Sequence, residues 1–259
     1  MKKYELTEET VTVHGKTLHR IKAVRGFESV QAGELGGYIE KEENLSHSGN
    51  AWVCDNAKVF GNAWVYGDVS VSGNAWVCDN AKVSGNAWVC DDVSVTGDAE
   101  VTGNAKVSGN AEISSNARVY GNAWVRDNAK VTDNAEVSGN AWVCDNAKVF
   151  GNAWVYGDVS VSGNAWVCDN AKVSGNAEIS SNAEISNMRH FFVQGPIGSR
   201  NGFVTFYRTK SNTIDVICGC FSGSLQEFTD KVKKTHEGNK YGKEYKLAVE
   251  LAKVCIELK

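Results

Sequence analysis

The chain has 259 residues, is 42% hydrophobic and 22% charged, and carries a formal net charge of −4. That balance is ordinary for a globular protein and leaves room for one large domain or two to three small ones. No stretch approaches the roughly 18 apolar residues of a membrane span, and the opening MKKYELTEE turns acidic without the apolar run of a secretory signal.

The first element in chain order is a hairpin. KYELTEETVTVHGKTLHRIKAVRGF (3–27) reads as two strands with His14-Gly15 at the turn. VQAGELGGYIEKEENLSHSG then leads into a repeat. An N-terminal β-hairpin cap is expected over residues 1–43.

From Asn50 to Asn187 the chain keeps a six-residue beat without interruption, 23 hexads in all, and NLSHSG (44–49) is a degenerate hexad before them. Asn or Asp opens every hexad of the regular run, Ala or Val follows, and Val or Ile stands fourth. A period of six is not helical. It suits a parallel β-helix with triangular coils, three hexads to a turn, each hexad giving one short strand and one corner. The fourth residue then points inward and its neighbours outward, because strand side chains alternate. Ala fits the tight corner, and Gly, Asp or Asn takes the bend where positive φ is needed. Residues 44–187 give eight coils of 18 residues, a prism of roughly 38 Å at about 4.8 Å per coil. In the degenerate hexad His47 falls on the inward slot.

Sorting the outward residues by 18 places Trp52, Trp88, Trp124 and Trp142 on one face, Trp64 and Trp154 on a second, and Trp76 and Trp166 on the third. Two readings stand: rings lying over neighbouring Cys, Ser and Lys stems, or burial against further copies in a homotrimer. Five of the eight cysteines also take outward slots, with Cys54 and Cys90 two coils apart on one face. About 9.6 Å is too far for a disulfide, which favours a reducing cytoplasm. Residues 48–87 and 138–177 are identical. The offset is five whole coils, so the copy restores every face. This reads as an internal duplication that lengthened a spacer in register.

Residues 188–259 break the beat. HFFVQGPIG (190–198), GFVTFYRTK (202–210) and TIDVICGCF (213–221) are three strands with turns between them. Ser224 and Glu227 form a capping box, which predicts a helix with Leu225, Phe228 and Val232 on one face. HEGN (236–239) ends it. A second helix over about 240–256 puts Tyr241, Tyr245, Val249, Ala252 and Ile256 in a stripe. The expectation is a small α+β domain. Its 12 basic and 7 acidic side chains contrast with 8 and 16 in residues 50–187, so an anionic partner is expected at this end, with no membrane contact and no general nucleic-acid binding.

The hexads resemble those of the hexapeptide-repeat proteins, in the order Val53, Asp55, Asn56, Ala57. The resemblance implies the left-handed hand of the β-helix. The Ala32-Gly33, Gly36-Gly37-Tyr38-Ile39 and Asn44-Leu45-Ser46 strings resemble caps of bacterial and phage members, and GPIGSRN…TFYRT…CGCF resembles a C-terminal module of uncharacterised phage and prophage proteins. The best-known activity on the hexapeptide fold is acyl transfer to small substrates, which uses a His base near an intercoil groove and usually a loop interrupting the coils. Here no hexad from 50 to 187 holds a His and none is interrupted. His14, His19 and His47 lack metal-binding spacing, and no metal or cofactor is expected.

Three functions remain open. The first is a non-enzymatic binding protein whose head captures a phosphate or nucleotide, or a host defence factor, in the host cytoplasm if phage-encoded. Ser199, Arg200 and Asn201, with Arg208, Thr209 and Lys210 one strand away, are the expected ligand-binding residues, offering Arg, hydroxyls and loop amides to an anion. GPIGSRN is not a Walker loop, since Gly-Lys-Ser/Thr is missing. The second function is a purely structural trimeric spacer. The third is an enzyme, either an acyltransferase relative or one using Cys220 beside His190 or His236 as a thiol pair; no catalytic residue is assigned.

Overall fold

The structure is a computed structural model and describes residues 2–259. Strands β1 (Tyr4–Val13), β2 (Lys16–Ala23) and β3 (Leu35–Ile39) open the chain. β1 and β2 pair antiparallel across His14 and Gly15, both at positive φ (48° and 76°), which is what a two-residue hairpin turn requires. β3 pairs antiparallel with β2 and parallel with Lys58–Val59. The cap is thereby continuous with one face of the repeat.

Short parallel strands of the hexads stack in three sheets, each strand pairing 18 residues on. Lys82 meets Glu100, Trp88 meets Lys106 and Ser94 meets Glu112. The result is a parallel β-helix of about eight triangular coils. Every inward Val or Ile from Val53 to Ile185 is fully buried, and the corner Ala residues are buried beside them. The sixth hexad position lies at positive φ in every hexad from Asp55 to Ser181, between 55° and 88°, and only the last, Asn187, is extended as the chain leaves the repeat. Where Asp replaces Gly there, its carboxylate reaches the next coil: Asp55, Asp79, Asp91, Asp133 and Asp145 accept from the N–H of Gly73, Gly97, Gly109, Gly151 and Gly163 at 2.9–3.0 Å. Most of the opening Asn residues form corner ladders, the side-chain amide donating to its counterpart one coil on, as from Asn86 through Asn104 and Asn122 to Asn140. Asp158 ends that ladder, because an ionised carboxylate accepts but cannot donate.

A solenoid leaves unpaired backbone groups at both ends, and each end here is plugged. At the first coil Lys3, fully buried, donates to the carbonyl of Ala51 at 2.6 Å. Tyr4 donates to that of Leu45 at 2.7 Å, and buried Asn44 to those of Ala63 and Gly61. His47 does not take the inward slot expected of it. Leu45, 1% exposed and paired with Val65, fills the first coil, while His47 stacks on Tyr4 with ring centroids 4.4 Å apart. A register shift between Leu45 and Gly49 makes the exchange, since an aliphatic side chain is the cheaper one to bury.

The other end is closed by a four-stranded antiparallel sheet of Phe191–Ile197, Gly202–Arg208, Ile214–Cys218 and Phe221–Ser224. Thr205 accepts from the N–H of Glu178 in the last coil, and buried Tyr207 joins the rod's core cluster. Val204, Phe206 and Val216 pack instead with helices α1 (Leu225–His236) and α2 (Lys240–Cys255). Ser224 and Glu227 make the expected capping box. The stripe on α2 packs as read at Val249, Ala252 and Ile256, with Ala248 beside them and Tyr245 half-buried. Among the described residues no helix is long and apolar enough to cross a membrane.

Candidate functional site

The expected ligand-binding residues fall into two groups that the fold holds apart. Ser199, Arg200 and Asn201 form the turn before the Gly202–Arg208 strand. Arg208, Thr209 and Lys210 lie at that strand's far end, about 20 Å away at 3.3 Å per residue. They do not compose one anion site. Arg208 and Thr209 are 2% and 4% exposed because they build the joint between rod and head. Arg208 donates to His190 Nε2 at 2.9 Å and faces Glu184 at 3.5 Å. Thr209 bonds the hydroxyl of Thr213. Lys210 donates to the Asn164 carbonyl and lies 4.0 Å from the centre of the Trp166 ring. These three are structural residues, and Arg208 is too deeply buried to meet a ligand.

Ser199 and Arg200 instead border a cavity of about 380 Å³ in the head. Asn201 sits beside it at positive φ, its N–H donating to Gly198. Phe228 forms the floor, with Phe221 and Tyr245 at ring-centroid distances of 5.3 and 5.6 Å. Phe203 stands at the mouth, 44% exposed. Arg200, Lys231 and His236 supply the basic groups. The turn is fixed from below: Glu244 accepts from the Gly198 N–H at 2.7 Å. A Cβ at Gly198 would come within 1.9 Å of the Tyr245 hydroxyl, so only glycine fits. Burial, then the neighbouring Cys218, pushes the Tyr245 phenol up to about 12. At neutral pH it is therefore a hydroxyl. Sequence reading missed Phe203, Phe221, Lys231 and Tyr245 as site residues. The register of α1, fixed by its capping box, is the signal that would have placed Lys231 beside Phe228.

The thiol reading gains little. His190 belongs to the joint, whereas His236 borders the same cavity as Cys218 and Cys220. Cys218 lies 3.8 Å from the Tyr245 hydroxyl, and burial raises its pKa, which disfavours the thiolate a nucleophile needs. All eight cysteines are free. On the rod, Asp127, Cys144 and Asp145 bring ligand-type atoms within 4.8 Å of one another, but Arg126 stands 3.6 Å from Asp127 and supplies a counter-charge there.

The outward tryptophans are largely engaged within the chain. Trp124 and Trp142 stack 5.0 Å apart at 3°, and Lys106 lies over both Trp88 and Trp124. The cap covers Trp52 and Trp76 through Phe27 and His14. Trp88 remains the most open at 57%.

Residues 41–141 match a family model described as "Bactofilin: Polymer-forming cytoskeletal". A stretch of 77 residues is 36% identical to the Escherichia coli K12 protein called "Uncharacterized acetyltransferase YdcK" and covers 26% of this chain and 24% of that one. The chain thus spans about a quarter of that relative's length. A solved Francisella novicida UDP-N-acetylglucosamine acyltransferase aligns over 82% of this chain and 88% of its own, at 11% identity and a TM-score of 0.42. None of these similarities carries an activity to this chain.

Proposed function

We propose that this chain is a non-catalytic scaffold, a rigid capped rod that holds a basic head whose cavity takes a small anionic ligand. The cavity carries the reading. It places Arg200, Lys231 and the Ser199 hydroxyl around an aromatic floor, on a domain with five more basic than acidic side chains. The rod supports it from the other side. Its hexads from 50 to 187 hold no histidine, and several of its charged side chains pair along the faces, as Lys82, Glu100 and Arg118 do, while Lys106 and Lys172 lie over tryptophan rings. In a phage setting, which the head's sequence resembles, such a protein sequesters a host signal in the host cytoplasm. A homotrimer would raise its valency. Calorimetry of the full chain against inorganic pyrophosphate tests the anion site. Binding that weakens with salt, and by tenfold or more in Arg200→Gln, supports it. A trimer that binds no anion would leave the spacer reading.

Acyl transfer is the second reading, favoured by the 77-residue match to the E. coli protein. Turnover of acetyl-coenzyme A by the purified chain would establish it.

A further inference from the structure

Four aromatic rings from four separate elements converge on the head's cavity, and the positive charges stand only at its mouth. Phe228 on α1 closes the bottom and is 3% exposed. Phe221, from the last strand, and Tyr245, from α2, form walls tilted or perpendicular to it, at 52° and 89°. Phe203 lies against the bare backbone of Gly195, where a Cβ would sit 2.4 Å from the ring. One part of that ring is thus held by the strand, while 44% of the residue stays open to solvent. A site for a bare inorganic anion needs none of this, because phosphate is recognised by donors and charge alone. A site for an aliphatic ligand has no use for cations at the rim.

The charges are placed for the other half of a ligand. Arg200 is exposed at the tip of the 198–201 turn and close enough to the Tyr245 hydroxyl for its charge to act there. Lys231 lies over the Phe221 ring with Nζ 5.2 Å from its centre, so its ammonium marks the boundary between aromatic wall and solvent. The Glu244 carboxylate beside the turn is already held by the Gly198 N–H, and that of Glu227, one turn before Lys231, by its capping box with Ser224. The volume, about 380 Å³, falls at the lower end of the range for small-molecule sites, about 300–1,000 Å³.

We infer that this cavity is a nucleotide site, taking the base among Phe203, Phe221 and Tyr245 and the phosphate at Arg200 and Lys231. The inference rests on the anion-binding reading above and names its ligand class. Stacking of this kind tolerates any base, since every base has a π-face. The site is therefore expected to rank ligands by the presence of a base more than by its identity.

The test is calorimetry on the full chain with three probes: adenosine monophosphate, ribose 5-phosphate and adenosine. Adenosine monophosphate should bind at least tenfold tighter than either of the others. Phe203→Ala should weaken it tenfold or more and leave ribose 5-phosphate unchanged, while Arg200→Gln should weaken both phosphates. Both side chains are exposed, so both variants should keep the wild-type melting temperature. The comparison of probes on the wild type stands without any variant. Equal binding of ribose 5-phosphate and adenosine monophosphate would overturn the nucleotide assignment and leave the anion reading intact. Binding of none of the three at millimolar concentration would remove both.

Discussion

Val125 and Lys130 are five residues apart and live in different media. Val125 is fully buried in the coil stack. Lys130 points outward and pairs with Glu112 across one coil at 2.5 Å. Val125→Asp should therefore lower stability by several kcal/mol, the cost of an unpaired buried charge. Lys130→Glu exchanges an exposed ion pair for a like-charge contact and should cost no more than about 1 kcal/mol. Urea denaturation of the two variants measures the difference, and similar losses would contradict the register. At this scale the sequence was most legible where a position repeats, because one rule then fixes 23 inward residues. It was least legible where a residue acts once. Lys3 reads as part of a polar terminus, yet it is the buried donor that closes the first coil. Burial lowers its pKa to about 8, with the charge of Arg25 acting in the same direction.

Among elements, the joint between rod and head carries a pH-sensitive group. His190 accepts from Arg208 through Nε2 at 2.9 Å, and its Nδ1 accepts from the Ser186 N–H at 3.1 Å, so donors face both ring nitrogens. Burial, then the charge of Arg208, holds its pKa below the ordinary value, while Glu184 and Glu257 oppose them and Lys259 adds to them. An unfolded chain takes up a proton on this ring near pH 6.5 and the native joint resists it. The unfolded state then binds more protons, so stability is lost as pH falls below about 6.5 and levels off only below the native pKa. Melting curves between pH 8 and 5 should show the loss, and His190→Gln should flatten it. The joint was legible only as a change of composition at residue 188. The pairing of Arg208 with His190 spans a strand and a turn that no local pattern links. The expected proximity of Arg208 to Arg200 was within reach of correction from sequence, because a seven-residue strand is too long to bring its two ends together.

For the whole molecule, coil number and head geometry are separable. Removing residues 88–105 takes out one coil and sets Lys106 where Trp88 stood, the two being register partners already. Removing residues 88–93 moves every later strand to the next face and turns the head's attachment by about 120°, a third of the 18-residue coil. The first deletion should fold and keep the oligomeric state, and the second should lose stability or assembly; light scattering with thermal melting distinguishes them. The three-sheet architecture and the α+β character of the head were both legible, since each rests on local period or turn chemistry. The cavity was not, because its walls come from residues 203, 221, 228 and 245, and only tertiary packing brings these together.

All eight tryptophans lie between residues 52 and 166 and the head contains none. The two halves of the molecule thus differ in colour. Light absorbed by indole alone is absorbed only by the coils, while every phenylalanine that lines the cavity is silent at that wavelength. Indole emission follows the coils as they unwind, and a tryptophan substituted at Phe203 would be the first indole in the head, a reporter placed at the mouth of the cavity.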